Sequence, residues 1–153
     1  MKYTIRAILM IGVAIGALAL ADKGLYAQGA DPNAAPNPYK MQESWAQLPN
    51  GQKFGAAIKV QVDHSDGKTI WVFDRCGSTE CTSSMIPPIE KFDSSGTFQK
   101  AFGAAMFAVP HGLYVDGDGN VWAGDQIARN GKGTDLIKFS PDGRVLMTLG
   151  KPG

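Results

Sequence analysis

The sequence predicts an all-β chain whose folded part is two four-stranded blades of a β-propeller. One stretch of short strand-like pieces is written twice, and glycine-bearing turns punctuate both copies at matching places. Val60-Gln-Val-Asp63, Ile70-Trp-Val-Phe-Asp74, Ile89-Glu-Lys-Phe92 and Gly96 to Gly103 reappear in order as Leu113-Tyr-Val-Asp116, Val121-Trp-Ala-Gly-Asp125, Leu136-Ile-Lys-Phe139 and Gly143 to Gly150. Gly96 and Gly103 recur 47 residues later, whereas Asp63 recurs 53 residues later because the loops within the first copy are longer. A repeat of this size made of several short strands is the mark of propeller blades.

Each copy divides into four strands. The first is a short inner strand (59–62; 112–115), followed by the turns Asp63-His-Ser-Asp-Gly67 and Asp116-Gly-Asp-Gly119. A tryptophan-bearing strand (69–73; 120–123) and a third strand (89–92; 136–139) come next. The tight turns Asp93-Ser-Ser-Gly96 and Ser140-Pro-Asp-Gly143 then lead into an outer strand (97–102; 144–149). In Ser-Pro-Asp-Gly the proline presets φ and the glycine accepts a positive φ. Asp116-Gly-Asp-Gly-Asn120 lacks the trailing glutamate of an EF-hand and reads as a hairpin turn. The blades span about 54–104 and 107–153.

The chain ahead of the repeat differs in kind. Lys2 and Arg6 precede an apolar run from Ala7 to Leu20, with Ala19-Leu-Ala21 as a small-residue cleavage site and Leu25-Tyr-Ala27 as a later one. Residues 1–27 therefore read as a signal peptide, cleaved after 21 or 27, in preference to an uncleaved anchor; the run is too short for a comfortable membrane span. Residues 28–53, rich in Ala, Asn and Pro, read as a linker. The expected location is periplasmic or secreted, with no stable membrane span after cleavage.

Charge excludes one class of partner. The formal net charge is +1, and removal of Lys2 and Arg6 with the signal leaves 13 basic against 14 acidic residues, so nothing favours nucleic acid. An exported chain also changes how Cys76 and Cys81 are read. Their C-x4-C spacing suits a disulfide across a small loop, ahead of free thiols or a metal pair.

In an up-and-down blade the first and third turns share one end of the strands, and the second turn and the crossover share the other. All extra length falls at that second end, in 76–88, 126–134 and 104–110. Insertions gathered on one side mark a binding face. Arg75, directly after the second strand, and His111, in the crossover before the next inner strand, both emerge there. Arginine suits a carboxylate and a neutral imidazole suits a divalent metal. The plainer readings are a surface arginine and a satisfied turn histidine. Asp63, Asp74, Asp116 and Asp125 recur at matching places, which favours repeated capping bonds over catalysis, and Trp71 and Trp122 read as repeat core. There is no phosphate-cradling glycine loop, serine elbow or H-E-x-x-H zinc motif.

Pro110-His-Gly-Leu-Tyr-Val-Asp-Gly-Asp-Gly-Asn-Val-Trp122, with Trp71-Val-Phe-Asp-Arg75 one blade earlier, resembles the peptidyl-α-hydroxyglycine α-amidating lyase family of six-bladed propellers related to NHL-repeat proteins. The resemblance covers about 54–153 and implies zinc and calcium as cofactors. It makes His111 one of three zinc ligands, Arg75 the arginine at the substrate pocket, and Val60 and Leu113 donors of backbone carbonyls to a channel calcium. The implied reaction cleaves a peptidyl-hydroxyglycine to amide and glyoxylate, on a peptide or small-molecule substrate in the channel. The remaining ligands and a tyrosine base would belong to further blades, so the chain reads as the opening part of a longer protein and, alone, as inactive. The alternative to an enzyme is a propeller that holds a protein or glycan without chemistry; the alternative to a fragment is a small β-domain that oligomerises.

Overall fold

In the computed structural model, which describes residue 31 and residues 34–153, the chain divides into two units, Met1–Met41 and Gln42–Gly153. The signal-peptide segment lies outside the described residues, as does the start of the linker. Within the first unit Ala34 N–H closes a turn onto the Asp31 carbonyl, and Tyr39 and Met41 are exposed. Among the described residues no helix is long and apolar enough to cross a membrane.

The second unit is all-β. After a single 3-10 turn (Pro49–Gly51) come β1 (Lys59–Val62), β2 (Ile70–Phe73), β3 (Ile89–Phe92), β4 (Phe98–Phe102), β5 (Pro110–Val115), β6 (Val121–Asp125), β7 (Leu136–Phe139) and β8 (Val145–Leu149). They form two four-stranded antiparallel meanders, β1-β2-β3-β4 and β5-β6-β7-β8. The duplicated sequence is thus a duplicated sheet, consistent with two propeller-like blades.

The register shows which side chains meet. Lys59, Phe73, Ile89 and Phe102 stand in one row of the first sheet, and Gln61, Trp71, Lys91 and Lys100 in the next on the same face. This face receives Leu113, Ala123 and Ile137 and then Val115, Val121 and Phe139 of the second sheet, together with Phe107 of the crossover. Trp71 packs edge-on to Phe102, and Phe73 edge-on to Phe107, with centroids 5.7 and 5.1 Å apart. Hence Trp71, Phe73 and Phe139 are wholly buried.

The two lateral faces left over are treated differently. On the far face of the first sheet, Val72 and Phe92 are roofed by the chain ahead of β1, while Val60 on the edge strand stays exposed: Trp45 and Phe54 lie 6.2 and 5.9 Å from the Phe92 ring. Trp45 also donates Nε1–H to the Ser94 carbonyl, and its own carbonyl passes so close to Gly96, at φ +88, that a Cβ there would stand 1.9 Å from it. The folded unit therefore takes in Gln42 onward, including residues assigned to the linker, because Trp45 and Phe54 find an apolar sheet to cover. The free face of the second sheet keeps Tyr114, Leu136, Met147 and Leu149 exposed, 55% in the case of Tyr114. Trp122, on this same face, consequently sits half-buried rather than in the core.

Repeated aspartates stitch each copy. Trp71 Nε1 donates to Asp63 at 3.0 Å and Trp122 Nε1 to Asp116 at 3.1 Å, while the same carboxylates cap the N–H groups of the first turns. Lys91 and Lys138 lie over the Trp71 and Trp122 rings, 5.1 and 4.8 Å from the centroids.

Candidate functional site at the long-loop end

The three long connections converge. Arg129 pairs with Glu80, Lys132 Nζ donates to the Thr82 carbonyl at 3.0 Å, and Cys81 N–H donates to the Ala108 carbonyl at 2.7 Å. Loops 76–88, 104–110 and 126–134 thereby form one surface at one end of both sheets. At the other end His64 stacks loosely on Tyr114, with centroids 6.1 Å apart. The two histidines are therefore held at opposite ends of the strands.

Cys76 and Cys81 form a disulfide with Cα atoms 5.3 Å apart, and both are buried. It closes the loop that begins at Arg75. Asp74, fully buried beside it, accepts N–H bonds from Gly55 at 2.7 Å and Gly77 at 3.1 Å, which pins the start of that loop to the chain entering β1. Cys76 itself adopts φ 55, the left-handed conformation that turns the chain sharply out of β2.

Arg75 lies half-buried. Its Nε donates to the Pro110 carbonyl at 3.1 Å and its Nη1 reaches the Thr79 carbonyl at 3.4 Å. Nε and Nη1 are thus engaged with main chain, which leaves Nη2 as the nitrogen that a carboxylate would meet.

His111 is not in the crossover, where its sequence position puts it, but inside β5. The reason is Pro110, whose extended backbone starts the strand early and pairs with Asp125. The next pair is Gly112 with Gly124, so the register shifts and His111 is the extra residue of a β-bulge, with its side chain exposed. Bulges beside functional sites commonly serve to re-aim a side chain. Arg75 and His111 are accordingly neighbours: the carbonyl that Arg75 grips belongs to the residue before the histidine.

Val60 and Leu113 occupy matching places on the inner edge strands. Asp63 N–H bonds to the Thr69 carbonyl and Asp116 N–H to the Asn120 carbonyl, so by alternation residues 60 and 113 fall at non-hydrogen-bonded pairs and turn their backbone carbonyls away from β2 and β6. Val115, two residues on, shows the same outward orientation, exchanging both main-chain bonds with the Gln61 side chain at 3.2 Å. Outward carbonyls of this kind are the donor type calcium takes. Among the described residues no group of three or more His, Cys, Asp or Glu is placed to hold a metal.

Two buried carboxylates and one half-buried one escaped the sequence reading in this role. Glu90 is 2% exposed, its Oε2 has no hydrogen-bond partner, and burial, reinforced by Asp74, pushes its pKa up to about 8. Asp125 and Asp135 oppose each other beyond the β6–β7 register, each with a buried, unpartnered Oδ1. Burial first, and Asp135 second among the groups that raise it, push the Asp125 carboxyl up. The repeat alignment carried one signal: Glu90 stands where the second copy has Ile137. No family profile matches this chain, and no curated protein matches it.

Proposed function

We propose that the two sheets are blades of an exported NHL-like propeller of the amidating-lyase type, and that the long-loop end is its ligand face. The observation that supports this reading most is the proximity of Arg75 and His111, with the imidazole exposed on a bulge and the guanidinium keeping Nη2 for a ligand. Arg75 would meet a carboxylate of a peptide or small-molecule substrate through Nη2, and His111 would hold zinc together with ligands from further blades. The outward carbonyls of Val60 and Leu113 would contribute to a calcium in the channel. Bound zinc would supply Lewis-acid activation of a hydroxyl; the chain's own residues orient the substrate and fix the imidazole. The disulfide within this segment accords with export.

Elemental analysis of the whole purified protein tests the reading. Stoichiometric zinc that is lost in His111→Ala, together with glyoxylate release from a peptidyl-hydroxyglycine, is the expected result. A metal-free protein indifferent to that substitution would replace the enzyme with a propeller that holds a protein or glycan. The chain described here, tested by itself with added zinc, is expected to show no turnover, because a catalytic zinc usually takes three protein ligands.

A further inference from the structure

The residues before His111 are tied down on every side. The buried Ala108 N–H donates to Asp125 Oδ2, the Ala108 carbonyl accepts from Cys81 N–H at 2.7 Å, the Val109 carbonyl accepts from Gln126 N–H at 3.0 Å, and the Pro110 carbonyl accepts from Arg75 Nε at 3.1 Å. Pro110 has no N–H to satisfy. Of the two side chains in this clamp, Arg75 comes from the preceding copy and Asp125 from the same copy as the histidine.

The first copy supplies an internal comparison. Asp74 holds Gly55 as Asp125 holds Ala108, and Gly55 and Ala108 are separated by the same 53 residues as Val60 and Leu113. An aspartate at the end of the second strand therefore anchors the approach to the inner strand in both copies. In the first copy Arg75 N–H bonds to the Ala56 carbonyl and Ile58 N–H to the carbonyl of Phe73, the partner of Lys59, so Ile58 is an extra residue in the place of His111; only the second copy puts a proline before that residue and a histidine at it. The anchor is common to the repeat, whereas its consequence for a polar side chain is confined to the second copy.

We propose that Asp125 is a positioning residue for His111: its carboxylate sets the direction of the imidazole by fixing Ala108 and, through Pro110, the bulge. The proposal deepens the reading of the long-loop end as a ligand face and rests on it for its biological meaning, but the placement itself needs no ligand. Without the carboxylate, the Ala108 N–H is left buried and unpaired, a state proteins avoid by moving the backbone. Because Pro110 is itself the strand residue opposite Asp125, movement there passes directly into the bulge.

NMR of the imidazole rings in the intact chain reads this without metal or substrate, with His64, at the opposite end of the strands, as an internal reference. Asp125→Ser is expected to shift or split the His111 ring resonances and leave those of His64 in place. Asp125→Asn, which keeps an oxygen acceptor, should restore the native His111 signals. Asp93→Ser removes a turn cap at the opposite end of the first copy and should leave His111 unmoved. An unchanged His111 in a folded Asp125→Ser protein, or an equal response to Asp93→Ser, would overturn the proposal, the latter by showing a general packing effect. If Asp125→Ser does not fold, Asp125→Glu displaces the acceptor by one methylene with charge retained, and an unmoved His111 in that variant is equally fatal. Failure of the lyase reading leaves these spectra unaffected, so the two ideas fall separately.

Discussion

Replacing Glu90 by glutamine isolates the cost of ionising a carboxyl inside the first sheet. Glu90 sits between Val72 and Ala101 on the face roofed by the chain ahead of β1, with the like charge of Asp74 adding to the effect of burial. Its folded pKa is raised to about 8 from an ordinary 4.5. Below 4.5 both folded and unfolded chains carry the proton, and the contribution to stability is complete. Between 4.5 and about 8 the unfolded chain releases a proton that the folded protein retains, so stability falls as pH rises and the loss is complete above about 8. At about 1.4 kcal/mol per pH unit, the gap sets a ceiling of about 5 kcal/mol. Glutamine resembles the protonated acid and does not titrate. Denaturant unfolding of the wild type and Glu90→Gln from pH 4.5 to 9 should therefore show near-coincident stabilities at the acid end and a growing advantage for the variant towards pH 9. The raised Asp125 acts in the same direction but is common to both proteins and cancels in the difference. A stability difference independent of pH would refute the reasoning, since it would mean that Glu90 ionises as freely in the folded protein as in the unfolded chain.

Two further outcomes follow from the stitching of the repeats. Asp63→Ala removes the acceptor for buried Trp71 Nε1 and for Ser65, and should cost about 1–3 kcal/mol in thermal or denaturant unfolding. Burial opposes ionisation of Asp63, but the bonds from Ser65 and Trp71 outweigh it and hold its pKa below 3.8, so its stabilisation is present above that value and disappears as pH falls through the folded pKa; Asp63→Asn should be correspondingly less acid-sensitive than the wild type. Thiol labelling of unreduced, denatured protein should find Cys76 and Cys81 blocked, and Cys76→Ala/Cys81→Ala should lower stability by about 2 kcal/mol, the amount chain entropy assigns to so short a loop. Two labelled thiols, or a double variant as stable as the wild type, would contradict the pairing.

The duplicated pattern, by itself, determined the all-β class, the eight strands, their grouping by fours and the turns between them. Those features depend on local chemistry: alternating side chains, glycine where φ turns positive, and aspartate beside the N–H groups it caps. Pairing of Cys76 with Cys81 was legible for the same reason, since only five positions separate them. The gathering of long loops at one end followed from strand alternation alone, and with it the placement of Arg75 and His111 on a common side. Tertiary structure decided the rest. The position of His111 on a bulge inside β5 depends on how Pro110 meets Asp125 across the sheet, a register that no local window contains. Engagement of Arg75 with Pro110 spans 35 residues, and the roofing of Phe92 by Trp45 joins parts of the chain that are farther apart still. Burial of Glu90 likewise depends on which face of the sheet the preceding chain covers. In each case the deciding contact lies between segments whose separation in sequence is set by folding, so spacing could indicate which residues carry the chemistry but not what would surround them.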